Sequence, residues 1–155
     1  MKKAFTMLEL VFILVILGIL AAIAIPKISA SREDAKIVAY KNDISALKSS
    51  LPSFFLAQGK GSFKSAITLS STNWQVQDFA IASTLQNENG QACIEAKLLS
   101  DENGSVATKE ENVKFLQISA NSTGKADGST CEKLINQSGI NKAEIIPLLS
   151  SSIVF

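Results

Sequence analysis

Between Phe5 and Ile25 the chain reads FTMLELVFILVILGILAAIAI, and Glu9 is the one charged residue in that stretch. At about 1.5 Å of rise per residue such a segment forms roughly 30 Å of helix, the thickness of a bilayer's hydrocarbon core. Removing it leaves a portion rich in Ser, Asn, Lys and Glu, so the mean hydropathy of +0.23 describes the start of the chain more than the rest. The chain is therefore bipartite, an apolar stem followed by a polar head. At 155 residues the whole has the size of one ordinary domain.

Composition narrows the chemistry open to the head. Lys and Arg number 15 against 14 Asp and Glu, which removes the bulk electrostatic case for binding nucleic acid, where affinity comes largely from neutralising phosphates. Lys60, Lys64, Lys109, Lys114, Lys125, Lys133 and Lys142 are scattered without interleaved aromatics, a weak pattern for DNA. The chain has no His, so His-based acid or base chemistry, His-containing metal sites and the usual triads are all missing. No convergent nucleophile and base stand out, and the reading assigns no catalytic residue, no metal ligand and no cofactor. Asp101-Glu102-Asn103 and Glu110-Glu111-Asn112 match no calcium-loop spacing and read as solvated loops. Asn121-Ser122-Thr123 and Asn136-Gln137-Ser138 fit a glycosylation acceptor pattern that is common by chance.

Three readings compete for the stem. Lys2 and Lys3 with Ala22-Ile23-Ala24 loosely supply the parts of a secretory signal peptide cut before Ile25-Pro26. Its apolar run is at the long edge for that purpose, and Glu9 sits after the run has begun. A plain signal anchor explains Lys2 and Lys3 as a cytoplasmic flank but gives no reason for Glu9. A carboxylate inside hydrocarbon costs on the order of 3 kcal/mol or more, so such a residue should have a partner.

Lys2-Lys3-Ala4-Phe5-Thr6-Met7-Leu8-Glu9-Leu10 resembles the leader and cleavage site of type IV pilins and of the pseudopilins of type II secretion and competence systems. The resemblance implies a cut by a membrane prepilin peptidase between Ala4 and Phe5, followed by methylation of the new Phe5 amine. Ala4 stands where the family most often has Gly. Pro26 falls where the family often has a helix-kinking proline, and the family implies local melting between Gly18 and Pro26 in some filaments. The alternative is that Gly18 permits close helix packing while Pro26 bends the helix gently. The implied organisation is a leader at 1–4, a transmembrane and assembly helix at 5–28, an amphipathic helix at 29–58 and a globular head at 59–155. The implied fold is α+β, a long N-terminal helix packed on a small antiparallel sheet.

Physical reasoning gives Glu9 a role in that scheme. Cleavage after Ala4 creates a cation at Phe5, one helical turn from Glu9 and able to meet it as an i,i+4 pair. In a staggered assembly, the amine of an incoming subunit can meet the Glu9 of a neighbour instead. A paired charge in low dielectric is far less costly than a lone one, so the pair can specify the axial step between subunits. The expected function is a structural subunit of a type IV pilus or pseudopilus, built by an inner-membrane platform with a cytosolic ATPase from identical or related subunits. The chain would rest in membrane lipid with a periplasmic head before assembly. A second reading is a minor subunit whose head binds DNA, a secreted substrate or a host surface, and a third, a membrane-anchored enzyme, finds no supporting residues.

In the head, Ile37, Tyr40, Ile44, Leu47, Leu51 and Phe54/Phe55 recur at spacings of 3 and 4, the stripe of an amphipathic helix. Pro52 is expected to kink it or start a new turn, and Gly59 and Gly61 to stop it. Thr72 to Val76 reads as a strand or turn, Asp78 to Leu85 as a short helix, Ala92 to Leu99 and Val113 to Ile118 as strands, and Glu132 to Gln137 as a helix. Ser152 to Phe155 is a possible edge strand, and Trp74 is expected in the core rather than at an exposed ligand site. With the head beyond the inner membrane, Cys93 and Cys131 are expected to form a disulfide, as in many type IV pilins, with two reduced buried thiols as the alternative.

Overall fold

The computed structural model describes residues 6–121, 129–140 and 142–149, and for 24–30 the backbone alone. Helix α1 (Met7–Gln58) is continuous across Pro26 and Pro52. Two compact units are distinguished, Met1–Lys36 and Ile37–Phe155. In the first, every described side chain is exposed, including Leu14 and Leu20 at 59% each. Among the described residues no helix is long and apolar enough to cross a membrane; the apolar run with described side chains ends at Ile23.

The second unit is built on the expected stripe. Ile37, Tyr40, Ile44, Leu47, Leu51 and Phe55 are buried, each three or four positions from the next, so one face of α1 packs on the sheet. Pro52 neither ends α1 nor opens a separate helix, contrary to one of the two expectations for it. Leu51 and Phe55 on either side are fully buried, and their packing outweighs the one backbone bond that a proline removes. The stop comes where expected. Gly59 turns the chain at φ 72° while its N–H caps the Phe55 carbonyl at 2.8 Å, a backbone conformation that favours glycine. A Cβ on Gly61 would lie 2.6 Å from the Phe54 ring, so the close passage of chain over ring requires glycine there.

A short helix α2 (Phe63–Ala66) leads to five antiparallel strands, β1 (Trp74–Val76), β2 (Ala80–Ser83), β3 (Ile94–Leu99), β4 (Phe115–Ala120) and β5 (Glu144–Pro147), in spatial order 1-2-3-4-5; helix α3 (Thr130–Ser138) lies between β4 and β5 in sequence. The α+β expectation and the meander both hold. Register places Ile81 beside Ala96, Ala96 beside Ile118, and Leu98 beside Leu116, so apolar residues share the face turned to the core while Ala82, Glu95 and Ser119 share the other. The helix expected over Asp78 to Leu85 is instead strand β2. Two alanines favoured a helix, but Ile81 and Ser83 are buried at alternate positions and β2 is paired on both sides, and pairing overrides local propensity. Strand β4 lies two residues later than expected. The last strand is Glu144–Pro147; Ser152 to Phe155 lie outside the described residues.

Side chains tie α1 to both edges of this sheet. The buried Trp74 indole on β1 donates to the Asp43 carboxylate at 2.8 Å, confirming Trp74 as a core residue. Tyr40, edge-on to Trp74, lies 3.0 Å from the Thr84 hydroxyl, which donates to the Thr72 carbonyl at 2.8 Å; Tyr40 is therefore the donor of that pair. At the opposite edge Lys48 meets Glu144 on β5 at 2.6 Å.

Candidate functional site

The site singled out by the sequence is the beginning of α1. Glu9 stands in its first turn, and the partner the structure gives it is Thr6. The Thr6 amide donates to Glu9 Oε2 at 3.0 Å and the Thr6 hydroxyl to the same oxygen at 2.9 Å. In return the Glu9 amide donates to Thr6 Oγ1 at 3.3 Å. The Thr6 carbonyl accepts the first helical bond, from Leu10, at 3.2 Å. This reciprocal arrangement is a capping box with Thr6 as N-cap and Glu9 three positions on. It satisfies amides that a helix start otherwise leaves without partners, and it sets a negative group at the positive end of the helix dipole.

Sequence reasoning sought a partner for Glu9 and missed Thr6. The signal was present, since Thr-x-x-Glu before an apolar run is the pattern of a capping box. Ala4 and Phe5 lie outside the described residues, so the Phe5–Glu9 pairing remains an expectation. Gly18 is helical with nothing within 4 Å of where a Cβ would lie; within one chain no close approach demands it. Pro26 lies in the unbroken backbone of α1, and its side chain is not described.

In the head the two cysteines are brought together. Cys93, at the entry to β3, and Cys131, in the first turn of α3, form a disulfide, and both are buried. Nearby, Asn121 Nδ2 donates to the Ala92 carbonyl at 2.8 Å, and its amide N–H bonds the Cys93 carbonyl at 2.9 Å. Of the acidic stretches, Asp101 turns its carboxylate on its own loop: Oδ1 accepts from the amides of Asn103 and Ser105 at 3.0 and 3.1 Å. A hydrogen bond from the Ser105 side chain foremost, and then these amides, hold the Asp101 carboxyl below its ordinary range. Among the described residues no group of three or more acidic or thiol side chains is placed to hold a metal ion. Lys64 pairs with Asp78 and Lys97 with Glu95.

Compared with known proteins, 55 residues of the chain, 36% of its length, are 36% identical to the type II secretion system core protein G of Pseudomonas aeruginosa. The similarity is distant. It supports the pilin and pseudopilin family. The match covers 39% of the relative's length. No family model matches the chain, and no solved structure matches it significantly. The long helix packed on a five-stranded antiparallel sheet is an α+β, pilin-like architecture.

Proposed function

We propose that the chain is a non-enzymatic structural subunit of a type IV pilus or a secretion pseudopilus, cut between Ala4 and Phe5 by a prepilin peptidase and polymerised through its N-terminal helix. In this reading residues 1–4 are the leader and 5–28 the membrane-resident and assembling segment. The head faces the periplasm until an inner-membrane platform, driven by a cytosolic ATPase, adds the subunit to a filament. The observation that carries the reading is α1 itself: an apolar stem, exposed throughout its described side chains and bearing Glu9 alone as a charge up to Ile25, continues as the helix whose other end forms the core of the head. Exposed apolar surface on that scale calls for lipid or for copies of itself, and the stem finds the first before assembly and the second after.

Mass spectrometry of the native amino terminus tests the processing. A chain beginning with N-methylated Phe5 is expected, and one beginning at Met1 or Ile25 refutes it. Replacing Glu9 by Leu should leave membrane insertion intact and reduce filament yield, and an unchanged yield would remove Glu9 from the assembly mechanism.

A further inference from the structure

We propose that Thr6 is the positioning residue for Glu9, holding the carboxylate over the first turn of α1 so that an arriving amine meets an acceptor already in place. This rests on the reading of Phe5 and Glu9 given above and adds the residue that prepares their meeting. Three features of the geometry argue for it. Both Thr6 donors converge on one carboxylate oxygen, Oε2, and among the described residues Oε1 accepts no hydrogen bond. One half of the carboxylate is thus latched and the other open to a cationic donor. The latch is local, spanning three positions, so it forms in a single chain before any neighbour is present. It also survives processing, because the bond to Thr6 uses an interior peptide N–H whether Phe5 is the terminus or not.

A glutamate at an exposed helix start otherwise samples several rotamers, and fixing it before the encounter removes that ordering cost from association. The hydroxyl is the part that distinguishes Thr6 from any other residue at this position, since every residue but proline supplies the amide. Serine keeps the hydroxyl, whereas valine keeps the branched shape and loses it. Loss of a typical N-cap side chain lowers the population of the capped state about fivefold.

The test uses the full chain in its native membrane and compares Thr6→Val with Thr6→Ser. A membrane-soluble carbodiimide couples the Phe5 amine of one chain to the Glu9 carboxyl of another, and the coupled peptides are counted by mass spectrometry together with filament yield. Trp74 fluorescence verifies that the head is folded in each variant. Thr6→Val is expected to lower inter-chain coupling about fivefold with a matching fall in filaments, and Thr6→Ser, which keeps the hydroxyl, to restore both. Wild-type coupling and assembly in Thr6→Val overturn the inference while leaving the pilin reading intact. A native chain that does not begin at Phe5 defeats that reading itself, and the inference with it.

Discussion

The bond from Trp74 to Asp43 gives a stringent test of how α1 is fixed to its sheet. Trp74 is 1% exposed, so replacing Asp43 by Ala leaves an indole N–H in the core without an acceptor. A buried donor stripped of its partner costs about 1 to 3 kcal/mol, and with a carboxylate lost from a 2.8 Å bond we take about 2 kcal/mol. For a head of roughly 120 residues at about 2.1 cal/mol/K each, this lowers Tm by about 8 °C. Asn at position 43 retains an acceptor oxygen and should cost under about 1 kcal/mol, the difference between a charged and a neutral partner. The sequence holds one Trp, so its emission during urea unfolding reports the relevant site without interference. The control is Trp74→Phe, followed by circular dichroism: with the donor gone, Asp43→Ala should cost less than about 0.5 kcal/mol more. An Asp43→Ala chain as stable as wild type, or one equally destabilised with Phe at position 74, would refute the argument.

Two further outcomes follow from the head. Reducing the Cys93–Cys131 bond, which closes a separation of 38 residues, should lower stability by about 4 kcal/mol on the chain-entropy estimate; equal urea midpoints for oxidised and reduced protein would contradict it. Asp101 has its folded pKa held below the ordinary 3.8 by the Ser105 and Asn103 bonds. A depressed carboxyl contributes stability that is present above the unfolded pKa and lost as pH falls through the lower folded value. NMR amide shifts of Ser105 and Asn103 should therefore move together with a midpoint below 3.8, and a midpoint at or above 3.8 would contradict the assignment of those bonds.

What the sequence revealed and what it hid differ by the kind of physics involved. The α1 stripe was legible because six apolar residues at spacings of 3 and 4 encode one buried face, and all six are buried. The strands at Ile94 and Phe115 were legible for the corresponding reason at period 2. Strand β2 was not, because Ala80 and Ala82 favour helix locally and only the neighbours β1 and β3, distant in sequence, decide otherwise. The same holds for β5, where Ile145 and Ile146 were too short a run to separate from the apolar residues nearby. Asp43 looked like any solvated helix charge until the fold set Trp74 against it. Thr6 is the opposite case: its role with Glu9 is local, spans three residues, and was readable from the first line of the sequence.

The Thr6 box also sharpens what the charge on Glu9 has to explain. A carboxylate in apolar surroundings needs donors, and the structure supplies two from its own chain; the need for a partner alone no longer requires a second subunit. What two neutral donors cannot supply is a compensating charge, and charge-assisted bonds are roughly twice as strong as neutral ones. Glu9→Gln separates the two contributions, because glutamine serves at this position of a capping box but offers no charge to an amine. If charge sets the axial step, Glu9→Gln should insert, cap its helix and yet assemble as poorly as Glu9→Leu, giving filaments at no more than a tenth of wild type for about 1.4 kcal/mol of lost pairing per contact. If Glu9→Gln assembles like wild type while Glu9→Leu does not, the residue acts as a helix cap alone, and the register between subunits must come from the packing of the stems.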